Sequence, residues 1–369
     1  MKIAYVVHDM SDPAVPRRTR MLQAGGADVV VIGFRRTATA PTSIAGAPAI
    51  DLGRTADARL AQRAVAVIRN LVWPKRMLDA AGGPDVIIGR NLEALALAWR
   101  IRRANPAARL IYECLDIHRT LLGSGPGARV VQAIEGWLLQ AIDLLIVSSP
   151  AFVRHYFAKR PTLTAPTLLA ENKLFLLDGA PPAPAEPQAG PPWVIGWLGN
   201  LRCRRTFTIL RDLAARHDGR VQIHIAGRPS PAVFADLEAE AAAAPHVRFT
   251  GAYTSADLPG IYAGCHLAWA IDYFEEGLNS RWLLPNRLYE APSFGTVPIA
   301  LASVETGRWL AGHGAGLLID DPADLDSLLA GLDRPAYASL RGQVSAIPRQ
   351  AIVAGPADCA ALVAAVAGR

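Results

Sequence analysis

The sequence predicts an α/β protein built from two parallel-sheet domains, and three observations carry that expectation. Short β-branched runs alternate with helical stretches through the first half, a proline-rich break spans 179–192, and a second series of apolar runs and helices follows it. At 369 residues the chain is long enough for two separate cores. Its 51% hydrophobic and 19% charged residues describe a globular chain and not a disordered one.

The first series opens with IAYVV (3–7), then a basic helix around Arg17 and Leu22, then ADVVVIGF (27–34). PDVIIGR (84–90), ARLIYEC (108–114) and DLLIVSS (143–149) follow, with helical stretches such as LEALALAWRIRR (92–103) between them. Near-continuous apolar strands separated by helices imply a parallel sheet covered on both faces. In GAPPAPAEPQAGPP (179–192) proline blocks both helix and central strand, so the segment reads as an extended linker. The second series comprises PWVIGWLG (192–199), VQIHIAG (221–227), VRFTG (247–251), HLAWAID (266–272), VPIA (297–300) and GLLID (316–320). PAVFADLEAEAAAA (231–244) is one of its helices, and PADCAALVAAVAG (356–368) a final one. The expected domains are therefore 1–178 and 193–345, with a helical tail over 346–369 that returns to the N-terminal domain. Ligands of such folds bind at the carboxyl ends of the strands, here in a central cleft that the two domains face.

Several function classes recede at this point. No G-x-G-x-x-G follows the first strand, which disfavours a dinucleotide dehydrogenase. No period of a solenoid is present. The net charge of +6 favours an anionic partner, but the arginines are scattered and lack an aromatic stacking platform, so nucleic acid is not expected. MKIAYVVHDM lacks the long apolar core of a signal peptide, and no segment is long and apolar enough to span a bilayer. Cys114, Cys203, Cys265 and Cys359 lie far apart without metal-ligand spacing, which suits reduced thiols and a cytoplasmic location.

Four constellations could carry chemistry. In GWLGNLRCRRTF (196–207) a strand ends at Gly199 and a helix begins near Thr206, with Arg202, Arg204 and Arg205 at the mouth. Free helix N–H groups and three cations suit a diphosphate, while a basic surface turn explains the same residues. In PNRLYEAPSFGTVPIA (285–300), Pro285 and Asn286 start a helix that puts Arg287 and Glu290 on one face. An internal ion pair is one reading; the other gives a phosphate to Arg287 and the two hydroxyls of a ribose to Glu290. Gly251 and Tyr253 follow a strand, where backbone groups could read the edge of a nucleobase; the bland reading is a loop over the helix DLPGIYAGC. In YECLDIHRT (112–120), Asp116 and His118 follow a strand, either as acid–base or hydroxyl-orienting groups or as a helix cap and a surface residue. The nearby GSGPG (123–127) reads as a hinge or loop.

Taken in order, these segments resemble the GT-B glycosyltransferases, and more closely the family-4-like group that builds surface polysaccharides. The resemblance runs over nearly the whole chain, through KIAYVVHDMSDPAVPRRTR, GRNLEALALA, YECLDIHR, DLLIVSSPAF and AENK, then GWLGNLRCRRT, HIAGRP, FTGAYTSADLPGIYAGC and PNRLYEAPSFGTVPIA. It implies two Rossmann-like domains, an N-terminal acceptor domain and a C-terminal nucleotide-sugar domain, and a hexosyl transfer from a nucleotide-sugar, with uracil as the expected base. It places Glu290 on the ribose carboxylate, Arg205 and Arg287 on or near the diphosphate cations, and Gly199 on the glycine-rich turn. Gly251 and Tyr253 fall on the base-binding segment, and Asp116 and His118 on a strand end facing sugar and acceptor.

One departure stands out. Many retaining members carry an E-x7-E pair, and the first position is Trp282 here. Asp272, Glu275, Glu276 and Asn279 are the polar residues close by that could contact the sugar hydroxyls; Asn279, with Arg202 and Asn286, completes the expected donor set. The stereochemical outcome is therefore open. An inverting enzyme would use Asp116 as base; a retaining one would let the leaving diphosphate assist. Two further readings stand beside the transferase: a nucleotide-sugar epimerase of the same architecture, and a non-catalytic nucleotide-sugar-binding subunit. No cofactor is expected, the nucleotide-sugar being a substrate. The spacing of Asp324 and Asp326 falls in an acidic loop, DDPADLD, so a metal-free mechanism is preferred.

The resemblance also implies a saccharide or lipid-linked acceptor. In RAVAVIRNLVWPKRML (63–78), Ala64, Val65, Val67, Ile68, Leu71 and Val72 form one helical stripe, followed by Trp73, Lys75 and Arg76. Either the stripe packs on its own sheet, or it meets an anionic membrane surface, helped by Arg17, Arg18 and Arg20. Peripheral attachment at the inner face of the cell membrane is the expectation attached to the second reading.

Overall fold

The computed structural model describes residues 1–56, 60–177 and 190–369. The expected linker over 179–192 thus lies, apart from 190–192, outside the described residues. The chain forms two compact units, Met1–Glu171 with Ala354–Arg369, and Asn172–Val353.

The first unit holds an eight-stranded sheet: β1 (Lys2–Val7), β2 (Asp28–Arg35), β3 (Ser43–Ile44), β4 (Ala47–Arg54), β5 (Val86–Arg90), β6 (Arg109–Cys114), β7 (Leu144–Val147) and β8 (Thr167–Leu169), in the order 3-4-2-1-5-6-7-8. All neighbours are parallel except β3 on β4. β3 and β4 were not legible in sequence, because APAIDLGR lacks the apolar run of an inner strand and mixes buried, half-buried and exposed positions without a regular alternation. The strand order turns back at β1, which pairs β2 on one side and β5 on the other. Such a reversal opens a crevice at the carboxyl ends of the two diverging strands.

The C-terminal helix Pro356–Ala367 belongs to this unit and packs on the helix Ala14–Ala24. It buries Cys359, Leu362 and Val366, and Arg109 Nη1 donates to the carbonyls of Ala365 at 3.0 Å and Val366 at 2.7 Å. The packing is close enough that a Cβ on Gly25 would stand 2.4 Å from Val363 Cγ2 and 2.5 Å from the Cys359 carbonyl oxygen.

The second unit begins with the short β9 (Leu174–Phe175) and carries a six-stranded parallel sheet. Its strands are β10 (Trp193–Leu201), β11 (Val221–Pro229), β12 (Val247–Phe249), β13 (Leu267–Trp269), β14 (Val297–Leu301) and β15 (Leu317–Ile319). The order 12-11-10-13-14-15 is that of a doubly wound nucleotide-binding sheet, with its reversal between β10 and β13. Trp193, Trp269 and Tyr289 are fully buried in its core.

Three local expectations are corrected here. β10 runs past Gly199 to Leu201, and the next helix starts at Arg204, with the Cys203 sulfur accepting from the Thr206 N–H. The helix expected over 231–244 is shorter, Leu237–Ala242: the Ser230 carbonyl first closes a turn with the N–H groups of Val233 and Phe234, and Asp236 then caps a new start. The segment with Asp324 and Asp326 is the first turn of the helix Asp324–Gly331 and not a loop.

Candidate functional site

In the second unit the site residues gather at the carboxyl end of β10. Gly199 has φ +109 and pairs Gly227 of β11, φ +144. A Cβ on Gly227 would fall 1.8 Å from the Gly199 carbonyl oxygen, so the two backbones touch where side chains would separate them. Above Gly199 the space is open, and the nearest atom to a Cβ built there is the Tyr253 hydroxyl oxygen, at 3.9 Å. The Gly251 carbonyl accepts from the Gly227 N–H at 2.7 Å, and Gly251 itself is at φ +79 with nothing within 4 Å of its Cβ position. Tyr253 is half-buried, and burial, then the Glu290 carboxylate, raise its pKa above the usual phenol value while Arg287 opposes them. Gly199, Tyr253, Arg287 and Glu290 are therefore one neighbourhood.

Arg287 and Glu290 sit on the helix Asn286–Ser293, with Pro285 as its extended N-cap and Gly295, at φ +71, leading into β14. The buried Tyr262 hydroxyl donates to Glu290 Oε2 at 3.0 Å, which fixes the carboxylate; burial and then Glu290 raise the Tyr262 pKa well above 10.0. The Tyr262 ring is in turn stacked on Phe294 at 5.4 Å. Arg287 Nη1 is buried and has no hydrogen-bond partner among the described residues. A buried guanidinium N–H without an acceptor carries a desolvation cost that a ligand oxygen would remove. Asn286, the first residue of the helix, is exposed.

The arginines after β10 divide. Arg205 pairs with Glu276 and lies over the Tyr273 ring at 4.2 Å; Arg202 stands 3.7 Å from Asp272 and over Phe274 at 4.1 Å. Arg204 instead turns to Glu240 and to the Val233 carbonyl at 2.7 Å, away from this group. An acidic segment, 272–276, thus lies across the two cations that sequence assigned to the donor. Asp272 also accepts from the Phe274 N–H at 2.7 Å and from Ser280 Oγ at 3.2 Å, and the buried Asn279 starts the short helix Asn279–Arg281. Asp324 caps the N–H groups of Asp320 and Asp321, and Asp326 holds Arg216 at 2.8 Å, so this pair of carboxylates is already engaged.

In the first unit, Asp116 is exposed after β6, and His118 is half-buried. His118, and not Asp116, caps the helix Arg119–Leu122: its Nδ1 accepts from the Thr120 N–H at 3.2 Å. Burial, and then Arg63, lower its pKa below 6.5. With Nδ1 accepting, the proton of the neutral ring is assigned to Nε2. GSGPG contributes only a short loop, since Pro126 and Gly127 begin the helix Pro126–Leu139.

Sequence reasoning missed the charged cluster around β1, β5 and β6. The fully buried Glu113 accepts from Tyr5 Oη at 2.7 Å and Arg18 Nε at 2.5 Å, with Arg90 Nη1 at 3.4 Å. Arg90 Nη2 reaches on to Asp12 at 2.9 Å. Burial works to raise the Glu113 pKa, but Arg18 and Arg90 outweigh it and hold the carboxyl below its ordinary range. His8, beside the cluster, is lowered to about 4 by burial and then by Arg90. Arg18 is therefore no part of a surface patch with Arg17 and Arg20. The only signal in the sequence was a carboxylate inside an apolar strand, LIYEC, which demands a buried cation.

Comparison with known proteins decides the family. A profile of the glycosyl transferase 4-like domain matches residues 13–164. The succinoglycan biosynthesis protein ExoL of Rhizobium meliloti (strain 1021) is 43% identical over 374 residues, covering 98% of this chain and 92% of that protein. The chain belongs to this family of glycosyltransferases. Among solved structures, sucrose-phosphate synthase (tll1590) from Thermosynechococcus elongatus superposes with a TM-score of 0.72 at 16% identity, over 99% of this chain and 98% of that one. Anabaena Alr3699/HepE, solved with UDP and glucose, gives a TM-score of 0.70 at 16% identity, over 100% and 99%. These two likenesses establish the GT-B fold of this glycosyltransferase.

Proposed function

We propose that this glycosyltransferase moves a hexosyl group from a UDP-sugar to a lipid-linked saccharide during assembly of a succinoglycan-like surface polysaccharide. The observation that carries the donor half is the pairing, on one helix, of the tethered Glu290 carboxylate with the buried, unpartnered Arg287 Nη1. A carboxylate has two oxygens that can accept from the vicinal hydroxyls of a ribose, and the unpartnered Arg287 Nη1 suits a phosphate oxygen. The open space over Gly199 and Gly251 gives backbone access for the diphosphate and the base. The UDP held by the Anabaena protein and the polysaccharide named for the Rhizobium relative support the donor and the pathway.

Cleavage of the sugar–phosphate bond places negative charge on the leaving diphosphate. Arg287, joined by Arg202 and Arg205, stabilises that charge most where it is largest, in the transition state. In this reading His118 of the first unit donates its Nε2 proton to a sugar hydroxyl, and the Asp116 carboxylate takes the proton of an acceptor hydroxyl. The arginines serve in place of a divalent cation, and activity is expected to survive chelation with EDTA.

The test is incubation of the purified enzyme with UDP-sugars and a lipid extract from polysaccharide-producing cells, following UDP release and label in the lipid fraction. Coupled release and transfer is the expected result. A new sugar nucleotide without transfer would point to epimerisation and overturn the reading.

A further inference from the structure

In the acidic segment DYFEEG (272–277) two consecutive aromatic rings stand against two arginines of the turn after β10. Arg205 Cζ lies 4.2 Å from the centre of the Tyr273 ring, and Arg202 Cζ lies 4.1 Å from the centre of the Phe274 ring. The same segment gives each arginine a carboxylate: Glu276 pairs with Arg205, and Asp272 stands 3.7 Å from Arg202. Hydrogen bonds within the segment fix where the rings sit. Asp272 Oδ1 accepts from the Phe274 N–H at 2.7 Å and from Ser280 Oγ at 3.2 Å, and Ser280 Oγ accepts from the Glu275 N–H at 2.9 Å. The Leu278 N–H closes on the Glu275 carbonyl at 3.0 Å, with Gly277 at φ +77 between them. Tyr273 is 8% exposed in the core of the second unit, and its Oη has no hydrogen-bond partner among the described residues, so packing holds that ring. Phe274 is 47% exposed; burial accounts for little of a phenylalanine there, and the cation beside it accounts for more.

A carboxylate and a ring hold a guanidinium in different ways. The carboxylate engages N–H donors, and a phosphate oxygen must replace it to reach them. The ring attracts the cation through the negative charge of its face and takes none of those donors. We infer that Tyr273 and Phe274 are positioning residues for the donor diphosphate, which keep Arg205 and Arg202 at the carboxyl end of β10 while phosphate oxygens replace Glu276 and Asp272. This role rests on the reading of the site as one for a UDP-sugar, and it adds the two rings that pre-place two of the cations. It also fits the place of the segment in the fold. Residues 272–276 follow β13, and the strand order reverses between β13 and β10, where a doubly wound sheet opens its ligand crevice. Long side chains already held by a ring lose less rotamer freedom when the ligand arrives.

Calorimetric titration of UDP and of uridine tests this role, in the parent chain, Phe274→Leu, Arg202→Met and the variant carrying both changes. Phe274 is exposed, so Phe274→Leu is expected to melt with the parent. It should weaken UDP by about two- to fivefold and leave uridine, which has no phosphate, at the parent's affinity. A merely structural role would weaken both ligands together. Phe274→Tyr restores a ring and should recover the UDP affinity. In the Arg202→Met background Phe274→Leu should have no further effect, because the ring then has no cation to hold. Tyr273→Leu should weaken UDP through Arg205 in the same way, with recovery in Tyr273→Phe, since the hydroxyl is unpartnered. UDP bound by Phe274→Leu as tightly as by the parent would overturn the inference and leave the donor reading standing. Losses that add in full in the double variant, or equal losses for UDP and uridine, would do the same. A parent chain that binds no UDP would overturn both.

Discussion

Glu113 shows what a single buried charge demands of its surroundings. It is fully buried yet accepts from Tyr5 and two arginines, and those partners come from β1, from β5 and from the helix after β1. Removing the carboxylate would strand Arg18 and leave Arg90 with Asp12 as its remaining carboxylate. Glu113→Ala is therefore expected to cost about 3–5 kcal/mol in urea unfolding, while Glu113→Gln should cost less by keeping the Tyr5 hydrogen bond. His224 makes the complementary case for a neutral group. It is 5% exposed, bonds Thr250 at 2.9 Å, and burial, then Arg248, lower its pKa from 6.5 to about 4. The folded state resists a proton that the unfolded chain accepts, so this contribution is complete above pH 6.5 and is lost as pH falls from 6.5 towards 4. The loss for this one group approaches about 3 kcal/mol. Unfolding at pH 7.5 and pH 4.5 should show a smaller drop for His224→Gln than for the parent chain.

At the scale of elements, the acidic segment 272–276 and the turn after β10 form a device that sequence alone did not reveal. Local spacing identified Arg202 and Arg205 as the cations at a strand end, and they are there. Sequence did not show that Asp272 and Glu276, some seventy residues later, would lie against them, because that contact depends on β13 running beside β10 in the sheet. Arg205 and Glu276 are both about half exposed, so their pair is weak and readily exchanged. A diphosphate on Arg205 must displace Glu276. Glu276→Ala is accordingly expected to tighten UDP binding by about two- to fivefold, an increment that high salt should erase. An unchanged affinity would mean that Arg205 does not meet the phosphates.

The molecule as a whole explains which parts of this architecture could be read in advance. Alternating apolar strands and helices fix a doubly wound sheet because few other arrangements bury such strands on both faces, and β1, β5, β6, β10 and β11 were all visible in that way. The edges of the second sheet, β12 and β15, were also legible as VRFTG and GLLID, whereas β3, β4 and β8 at the edges of the first and the polar clusters were not, since their residues answer to neighbours distant in sequence. Arg18 looked like a surface cation and proved to be the partner of Glu113; the stripe around Ile68 fitted either a packed or an exposed face. The first unit is also discontinuous, completed only by Ala354–Arg369. Gly25→Ala, which would press a methyl group against the Cys359 carbonyl and Val363, should cost about 1–3 kcal/mol. Truncation after Val353 should destabilise the first unit far more, seen as loss of its melting transition.

The central claim is that Glu290 and Arg287 divide one ligand between them, ribose to one and phosphate to the other. Calorimetric titration of UDP and of uridine into the parent chain, Glu290→Gln and Arg287→Met tests it most directly. The expected result is that UDP binds more tightly than uridine, that Glu290→Gln weakens both by about tenfold or more, and that Arg287→Met weakens UDP alone. A parent chain that binds neither ligand, or an Arg287→Met variant that binds UDP as the parent does, would contradict the account.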